Sequence, residues 1–199
     1  MARVGQSSGA PSKRDQVVTA GGEGRAVFLD RDGVINRSIV RNGRPYAPLH
    51  LDEFEILPGV SQATRDLRGA GLSIIVVTNQ PDVGAGRQTR DVVEAMHDKM
   101  CAEIAVDAVK VCYHIEADGC DCRKPLSGML LSAAEEFDIS LGKSFMVGDR
   151  WRDVDAGHAA GCRTYFIDQG YDESLRQTPD HFVADLPEAA RHILSMTLK

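Results

Sequence analysis

The sequence predicts an α/β fold, a doubly wound parallel sheet without a separate cap domain, and three observations carry that expectation. Short apolar runs recur along the chain, several of them β-branched and all continuous rather than alternating, as strands buried on both faces must be. Between them lie stretches with apolar residues at three- and four-residue spacing, the period of amphipathic helices. Strands alternating with helices in this way form a parallel sheet, whose ligand site falls beyond the carboxyl ends of the strands near a topological switch point.

Residues 1–24 are rich in Gly, Ser and Arg without periodicity and cannot bury enough surface to offset the entropy of ordering, so they read as a flexible tail. Residues 25–199 read as one domain. Its first apolar run, residues 26–29, is a strand. Val60, Ala63, Leu67 and Ala70 then form a helical stripe behind Pro58, a good first-turn residue, with Gly69 or Gly71 to end it. A second strand is expected at 72–77. A second stripe comprises Val92, Val93, Met96, Met100 and Ile104, followed by a strand at 108–111. Met129, Leu130, Ala133, Ala134 and Phe137 form a third stripe, followed by strands at 145–147 and 164–167, and a last helix over 187–197 starts behind Asp185. No repeat interrupts the pattern.

With 199 residues, 43% hydrophobic and 26% charged, the chain has ordinary globular composition and the length to bury a core. No apolar run approaches the roughly 18 residues of a membrane span, and the first residues lack the apolar stretch of a secretory signal, so a cytoplasmic protein with no membrane partner is expected. A net charge of −6 disfavours nucleic acid and anionic membrane, both of which reward a positive surface. An anionic substrate must therefore meet a local positive site. Nothing in the sequence points to an oligomer, and a monomer is expected.

The first strand ends in Asp30-Arg31-Asp32-Gly33, two carboxylates on one strand terminus with a glycine that permits a sharp turn. The strand at 145–147 leads into Gly148-Asp149, with Asp153 following, so a second acidic group reaches the same sheet edge. Like charges in one crevice repel unless a cation sits among them, and hard oxygen ligands with open positions suit Mg²⁺. The second strand ends at Thr78-Asn79-Gln80, whose hydroxyl and amides can hold phosphate oxygens, and Arg123-Lys124 supplies positive charge. Together these residues make a phosphate site with an internal nucleophile.

Of the five cysteines, three crowd together: Cys112-x-His114, then Cys120-x-Cys122, gives four ligands within eleven positions, a set suited to tetrahedral Zn²⁺. Cys122 is followed directly by Arg123 and Lys124, so a structural zinc would hold those cations over the phosphate.

Asp30-x-Asp32-Gly33, Thr78, Lys124 and Gly148-Asp149-x-x-x-Asp153 together resemble the four motifs of the haloacid-dehalogenase-like (HAD) phosphatases over residues 25–170. The resemblance implies that Asp30 is the nucleophile that forms an aspartyl-phosphate and Asp32 the general acid and base. It implies further that Thr78 and Lys124 hold the phosphoryl group, and that Asp30, the backbone carbonyl of Asp32 and Asp149 bind Mg²⁺. Asp153 is expected to support the site rather than ligate. The zinc motif with Arg123-Lys124-Pro125 is similar to the zinc-containing subgroup that includes D-glycero-D-manno-heptose 1,7-bisphosphate 7-phosphatases and histidinol-phosphate phosphatases, although Pro81 departs from the Ser of the heptose enzymes. A small-molecule phosphate ester, foremost a heptose bisphosphate, is the expected substrate. Histidinol phosphate, a nucleic-acid 3′-phosphate and a non-catalytic binding module are the alternatives.

The walls of the site are expected from the loop 37–48 and the zinc loop. Arg41 or Arg44 is a candidate for a second phosphate, and Asp52, Glu53 or Asp82 for a substrate amine. Trp151 reads as a structural Trp, and His50, His97, His158, His181 and His192 show no partner pattern.

Overall fold

A sheet of six parallel strands carries the molecule. The structure is a computed structural model that describes residues 23–197. The tail expected over 1–24 lies outside the described residues except for Glu23 and Gly24.

The central strand β1 (Ala26–Leu29) is followed by an antiparallel hairpin, β2 (Ile39–Arg41) and β3 (Arg44–Tyr46), and by α1 (Val60–Gly69). Then come β4 (Ser73–Asn79), the single turn α2 (Pro81–Gly84), α3 (Arg90–Glu103) and β5 (Ala108–Cys112). The second half comprises α4 (Gly128–Glu136), β6 (Phe145–Gly148), α5 (Trp151–Ala160), β7 (Arg163–Ile167), β8 (His181–Val183) and α6 (Leu186–Thr197). From β1 the chain builds outward through β4 to β5, then returns to the other side of β1 for β6, β7 and β8. The winding therefore reverses between β1 and β6, and a crevice opens beyond their carboxyl ends.

The continuous apolar runs are explained by burial on both faces. Val27 and Leu29 of β1, with Ile74 and Val76 of β4 and Phe145 and Val147 of β6, pack against Leu67 of α1, Met96 and Met100 of α3 and Ala189 and Ile193 of α6. The intervening Ala26, Phe28, Ile75, Val77 and Met146 pack against Met129, Leu130 and Ala133 of α4 and Ala156 of α5. The α/β, doubly wound fold expected from sequence is the fold observed, and no cap domain is present among the described residues.

Several elements differ from expectation. Pro58 lies ahead of α1 rather than in its first turn, because Gly59 is the N-cap at a φ of 79°. The hairpin was hidden in what reads as a loop, although its Asn42-Gly43 turn has φ of 50° and 73°, the two positive values that a two-residue hairpin turn requires. Helix α5 follows β6 directly and lies so close to the sheet that a Cβ on Gly157 would stand 2.7 Å from Thr164 Cγ2 and 2.9 Å from Met146 Cβ. Gly157→Leu should therefore overpack this contact and lower stability by about 1–3 kcal/mol in urea unfolding; an unchanged midpoint would mean that the helix can shift outward freely.

Candidate active site

The switch point collects charged side chains from four segments. Asp30 follows β1, and its amide donates to the Val147 carbonyl of β6 at 3.0 Å. Asp149 follows β6, and Asp153 lies in the first turn of α5. The chain can turn between Asp30 and the hairpin because Gly33 has a φ of 89° and no Cβ, which at this position would fall on the Asp149 carboxylate. Gly148 yields its side-chain space to Asp153 in the same way. Lys124 enters from the segment after the cysteine cluster, wholly buried, with Nζ 2.9 Å from Asp30 Oδ1 and 2.6 Å from Asp153 Oδ1.

Three buried carboxylates thus face one ammonium. Burial, with the charge of Asp153 added, pushes Asp30 up to about 7 even though Lys124 pulls it down. Burial and the charges of Asp30 and Asp153 push Asp149 well above the ordinary carboxylate range. Burial alone would depress Lys124, but Asp153 and Asp30 together hold it raised. Both Asp149 oxygens are buried beside the Tyr171 hydroxyl, without a well-formed hydrogen bond among the described residues, and one oxygen from each of Asp30, Asp149 and Asp153 lies within 4.8 Å of the others. Buried carboxylate oxygens gathered around a common point, with only one ammonium among them, fit a hard divalent cation.

Asp32 also lines the cleft but stands outside this carboxylate cluster. Its carboxylate accepts from Arg31 Nε and NH2 at 3.1–3.3 Å, from Asn36 Nδ2 at 2.9 Å and from Gln80 Nε2 at 2.8 Å. Gln80 also donates to the Thr78 hydroxyl at 2.9 Å and is itself fully buried, so its amide braces two site residues instead of reaching the cleft. Asn79 reaches the cleft, yet its amide is pinned at both ends to the backbone of Lys124, donating at 3.0 Å and accepting at 3.1 Å.

Beside this site the ligand atoms of Cys112, His114, Cys120 and Cys122 converge at the end of β5. Cys112 and Cys120 Sγ are 3.7 Å apart, as are Cys112 Sγ and His114 Nδ1, while Cys122 Sγ is 3.4 Å from both Cys120 Sγ and His114 Nδ1. A tetrahedron with metal–sulfur bonds of about 2.3 Å has edges of about 3.8 Å, so the set has zinc dimensions. Arg123 NH1 donates to the His114 carbonyl at 3.2 Å, tying the cluster to the cleft.

The cleft above Asp30 and Asp32 has a volume of about 240 Å³ and is walled by Ser38, Tyr46, Arg87, Arg123, Arg150 and Arg152, among others. Arg150 is paired with Glu173 and Arg87 with Asp82. Among the described residues, Arg123 and Arg152 have no carboxylate in ion-pairing distance. Arg152 stacks on Trp151, its Cζ 4.4 Å from the ring, and is held below the ordinary arginine range by burial and the nearby Arg150 charge.

Three expectations for the walls are corrected. Arg41 and Arg44 do not line the cleft; Tyr46 of the hairpin and Ser38 just ahead of it do so instead. Asp52 and Glu53 line a separate cavity beside Lys99 and Glu103. Asp82 reaches the cleft, but its charge is met by Arg87 at 2.6 Å, leaving it unsuited to hold an amine. Arg31, Asn36, Arg150 and Arg152 were not singled out from sequence. A signal existed for the last two in their place between Asp149 and Asp153.

Residues 121–189 match the HAD-hydrolase-like family model. The chain is 36% identical over 151 residues to the D-glycero-beta-D-manno-heptose-1,7-bisphosphate 7-phosphatase of Bordetella bronchiseptica, covering 73% of this chain and 82% of that one. It is 31% identical over 191 residues to the D-glycero-D-manno-heptose-1,7-bisphosphate 7-phosphatase of Thermosynechococcus vestitus, covering 84% and 94%. The crystal structure of D,D-heptose 1,7-bisphosphate phosphatase from B. bronchiseptica, complexed with magnesium and phosphate, superposes with a TM-score of 0.76 at 31% identity, over 86% of this chain and 99% of that one. No helix among the described residues is long and apolar enough to cross a membrane.

Because Lys124 is the buried counter-charge, Lys124→Ala should cost about 3–5 kcal/mol in metal-free urea unfolding. Adding Asp153→Asn to that variant should recover part of the loss, and failure to recover any would show that Lys124 acts by packing alone.

Proposed function

This chain belongs to the HAD-like phosphatases, and we propose that it removes the 7-phosphate of a heptose 1,7-bisphosphate by attack of the Asp30 carboxylate on phosphorus. The carrying observation is the convergence of Asp30, Lys124, Asp149 and Asp153 at the switch point, below a cleft in which Arg123 and Arg152 have no carboxylate partner among the described residues.

In the first step an Asp30 oxygen bonds to phosphorus as the bond to the sugar oxygen breaks, and Asp32 gives that oxygen its proton. In the second, Asp32 takes a proton from water as the water oxygen attacks phosphorus, breaking the acyl-phosphate bond and restoring Asp30. Lys124 and Thr78 hold the phosphoryl oxygens, while Asn79 and Gln80 keep Lys124 and Asp32 in place. Asp30, Asp149 and the Asp32 carbonyl would hold Mg²⁺, which when bound offsets carboxylate charge and stabilises charge on the transferring group. Asp153 supports the site through Lys124 and through its bond from the Arg150 amide at 3.0 Å. Cys112, His114, Cys120 and Cys122 would hold structural Zn²⁺, fixing Arg123 and Lys124.

Arg123 and Arg152 supply a place for the second phosphate, and Ser38 and Tyr46 face the polyol between. The heptose activity in the names of the relatives agrees with such a cleft. The enzyme is proposed to act as a cytoplasmic monomer on a single domain, residues 25–199.

Phosphate release should be measured with both anomers of heptose 1,7-bisphosphate, histidinol phosphate and a 3′-phosphorylated oligonucleotide, in Mg²⁺. Selective turnover of a heptose bisphosphate, abolished in Asp30→Asn, is expected; equal turnover by that variant would remove Asp30 from the mechanism. Metal analysis should find one zinc per chain in the wild type and none in Cys120→Ser. Zinc-stripped protein that keeps full kcat and KM with Mg²⁺ would refute the positioning role of the cysteine loop.

A further inference from the structure

Arg31, the residue between the two aspartates, heads the large side chains fully withdrawn from solvent among the described residues. A guanidinium is costly to bury and persists where every face finds a partner. Nε and NH2 hold the Asp32 carboxylate, the guanidinium carbon lies 5.5 Å from the centre of the Phe54 ring, and NH1 is 3.2 Å from His97 Nε2. Arg31 can only donate, so Nε2 must be the lone-pair nitrogen of His97 and the ring proton sits on Nδ1. That nitrogen faces Glu94 Oε2 at 3.5 Å, and Glu94 is also hydrogen-bonded by the Tyr113 hydroxyl. Burial and the adjacent Arg31 charge hold His97 below the ordinary histidine range, keeping Nε2 free to accept.

His97 lies on α3, buried, and does not line the cleft. Its contact with the site runs through Arg31. If stability alone were at stake, an apolar packing of similar volume would serve at least as well as a buried charged pair. A bidentate fork does something apolar packing cannot: it fixes the rotamer and plane of a carboxylate.

We infer that Arg31 and His97 are positioning residues for the proton-transfer step: His97 seats the guanidinium of Arg31, and Arg31 aims the Asp32 carboxylate at the leaving oxygen. The inference rests on the reading of Asp32 as general acid and base, and it names what holds that group in place from the side away from the substrate.

The test uses leaving-group dependence, which a merely structural role does not move. kcat/KM reports the steps through the first cleavage, where a sugar alkoxide needs a proton and 4-nitrophenolate departs without one. Heptose 1,7-bisphosphate and 4-nitrophenyl phosphate should be compared in Mg²⁺-replete full-length protein for wild type, His97→Leu, His97→Gln, Arg31→Lys and Asp32→Asn. His97→Leu, which cannot accept from Arg31, is expected to lower kcat/KM for the bisphosphate about tenfold or more, a share of the roughly 10²- to 10⁴-fold that general acid catalysis supplies. The aryl ester should change less than about twofold. His97→Gln, whose carbonyl oxygen can accept, should restore most of the loss. Should His97→Leu fail to fold, Arg31→Lys, which keeps the charge but loses the fork, carries the same comparison. Equal losses on both esters in His97→Leu or Arg31→Lys, or no loss, while Asp32→Asn still discriminates, overturn this inference alone. Asp32→Asn that does not discriminate between the esters overturns the acid–base reading of Asp32 and this inference with it.

Discussion

A lysine ammonium buried between two carboxylates sets the terms for the rest of the molecule. Desolvating Lys124, Asp30 and Asp153 is unfavourable for each separately, and their mutual contacts at 2.6 and 2.9 Å offset that cost only while all three stay in register. Register comes from the sheet. Asp30 is carried on β1 and Asp149 on β6, adjacent parallel strands whose carboxyl ends mark the reversal of winding. Lys124 arrives on a loop with no regular structure of its own, and the amide of Asn79 at the end of β4 grips its backbone from both sides. One ammonium still leaves the three carboxylates undercompensated, which is why Asp30 and Asp149 stand raised and why a divalent cation is the natural complement.

The walls of the cleft are built by lashing loops together rather than by adding a domain. The Asp172 amide donates to the Gly43 carbonyl at the hairpin turn at 2.8 Å, and Gln169 Nε2 donates to the Gly33 carbonyl at 2.9 Å. Arg150 pairs with Glu173 from the same segment. The loop after β7 thereby joins the hairpin, the turn after Asp30 and the start of α5. On the opposite side Arg123 is fastened to the cysteine cluster through the His114 carbonyl. These ties preorganise the walls of the cleft, which lowers the ordering cost of binding.

What could be read in the sequence follows from what is local. The strands were legible because a residue buried on either face must be apolar, and the runs at 26–29 and 145–147 have no alternation to confuse them. The cysteine–histidine cluster was legible because its four residues fall within eleven positions. Helix α5 was not, since the face it presses on the sheet is built from Val154, Ala156 and Gly157, too small to give a strong apolar period. Its boundaries were written more plainly: Asp153 caps the Arg150 amide, and Gly161 ends the helix at a φ of 81°. Asn79 and Gln80 looked like phosphate ligands because amides suit that task, but their partners lie 45 and 48 positions away, at Lys124 and Asp32, and only the fold reveals that they are occupied. Arg31 is the extreme case, a residue type that is almost always exposed placed at the centre of the site.

The pair Asp30 and Asp32 shows how environment distinguishes the two roles proposed for residues of one type. Both are aspartates two positions apart on one strand end, yet Asp30 lies among other carboxylates with a lysine beside it, whereas Asp32 is surrounded by donors from Arg31, Asn36 and Gln80. A nucleophile must be ionised while close to an anionic phosphate; the ammonium of Lys124 favours that state but does not outweigh burial and the Asp153 charge, an imbalance that a bound divalent cation would offset. A proton-transfer group must be aimed, and a planar fork backed by His97 provides direction. Arg31 sits between them in sequence because the side chain that follows Asp30 points to the far side of the turn, where α3 and Phe54 can enclose it. The spacing of the two aspartates thus does more than place two carboxylates together: it leaves one position whose side chain can reach behind the second and hold it.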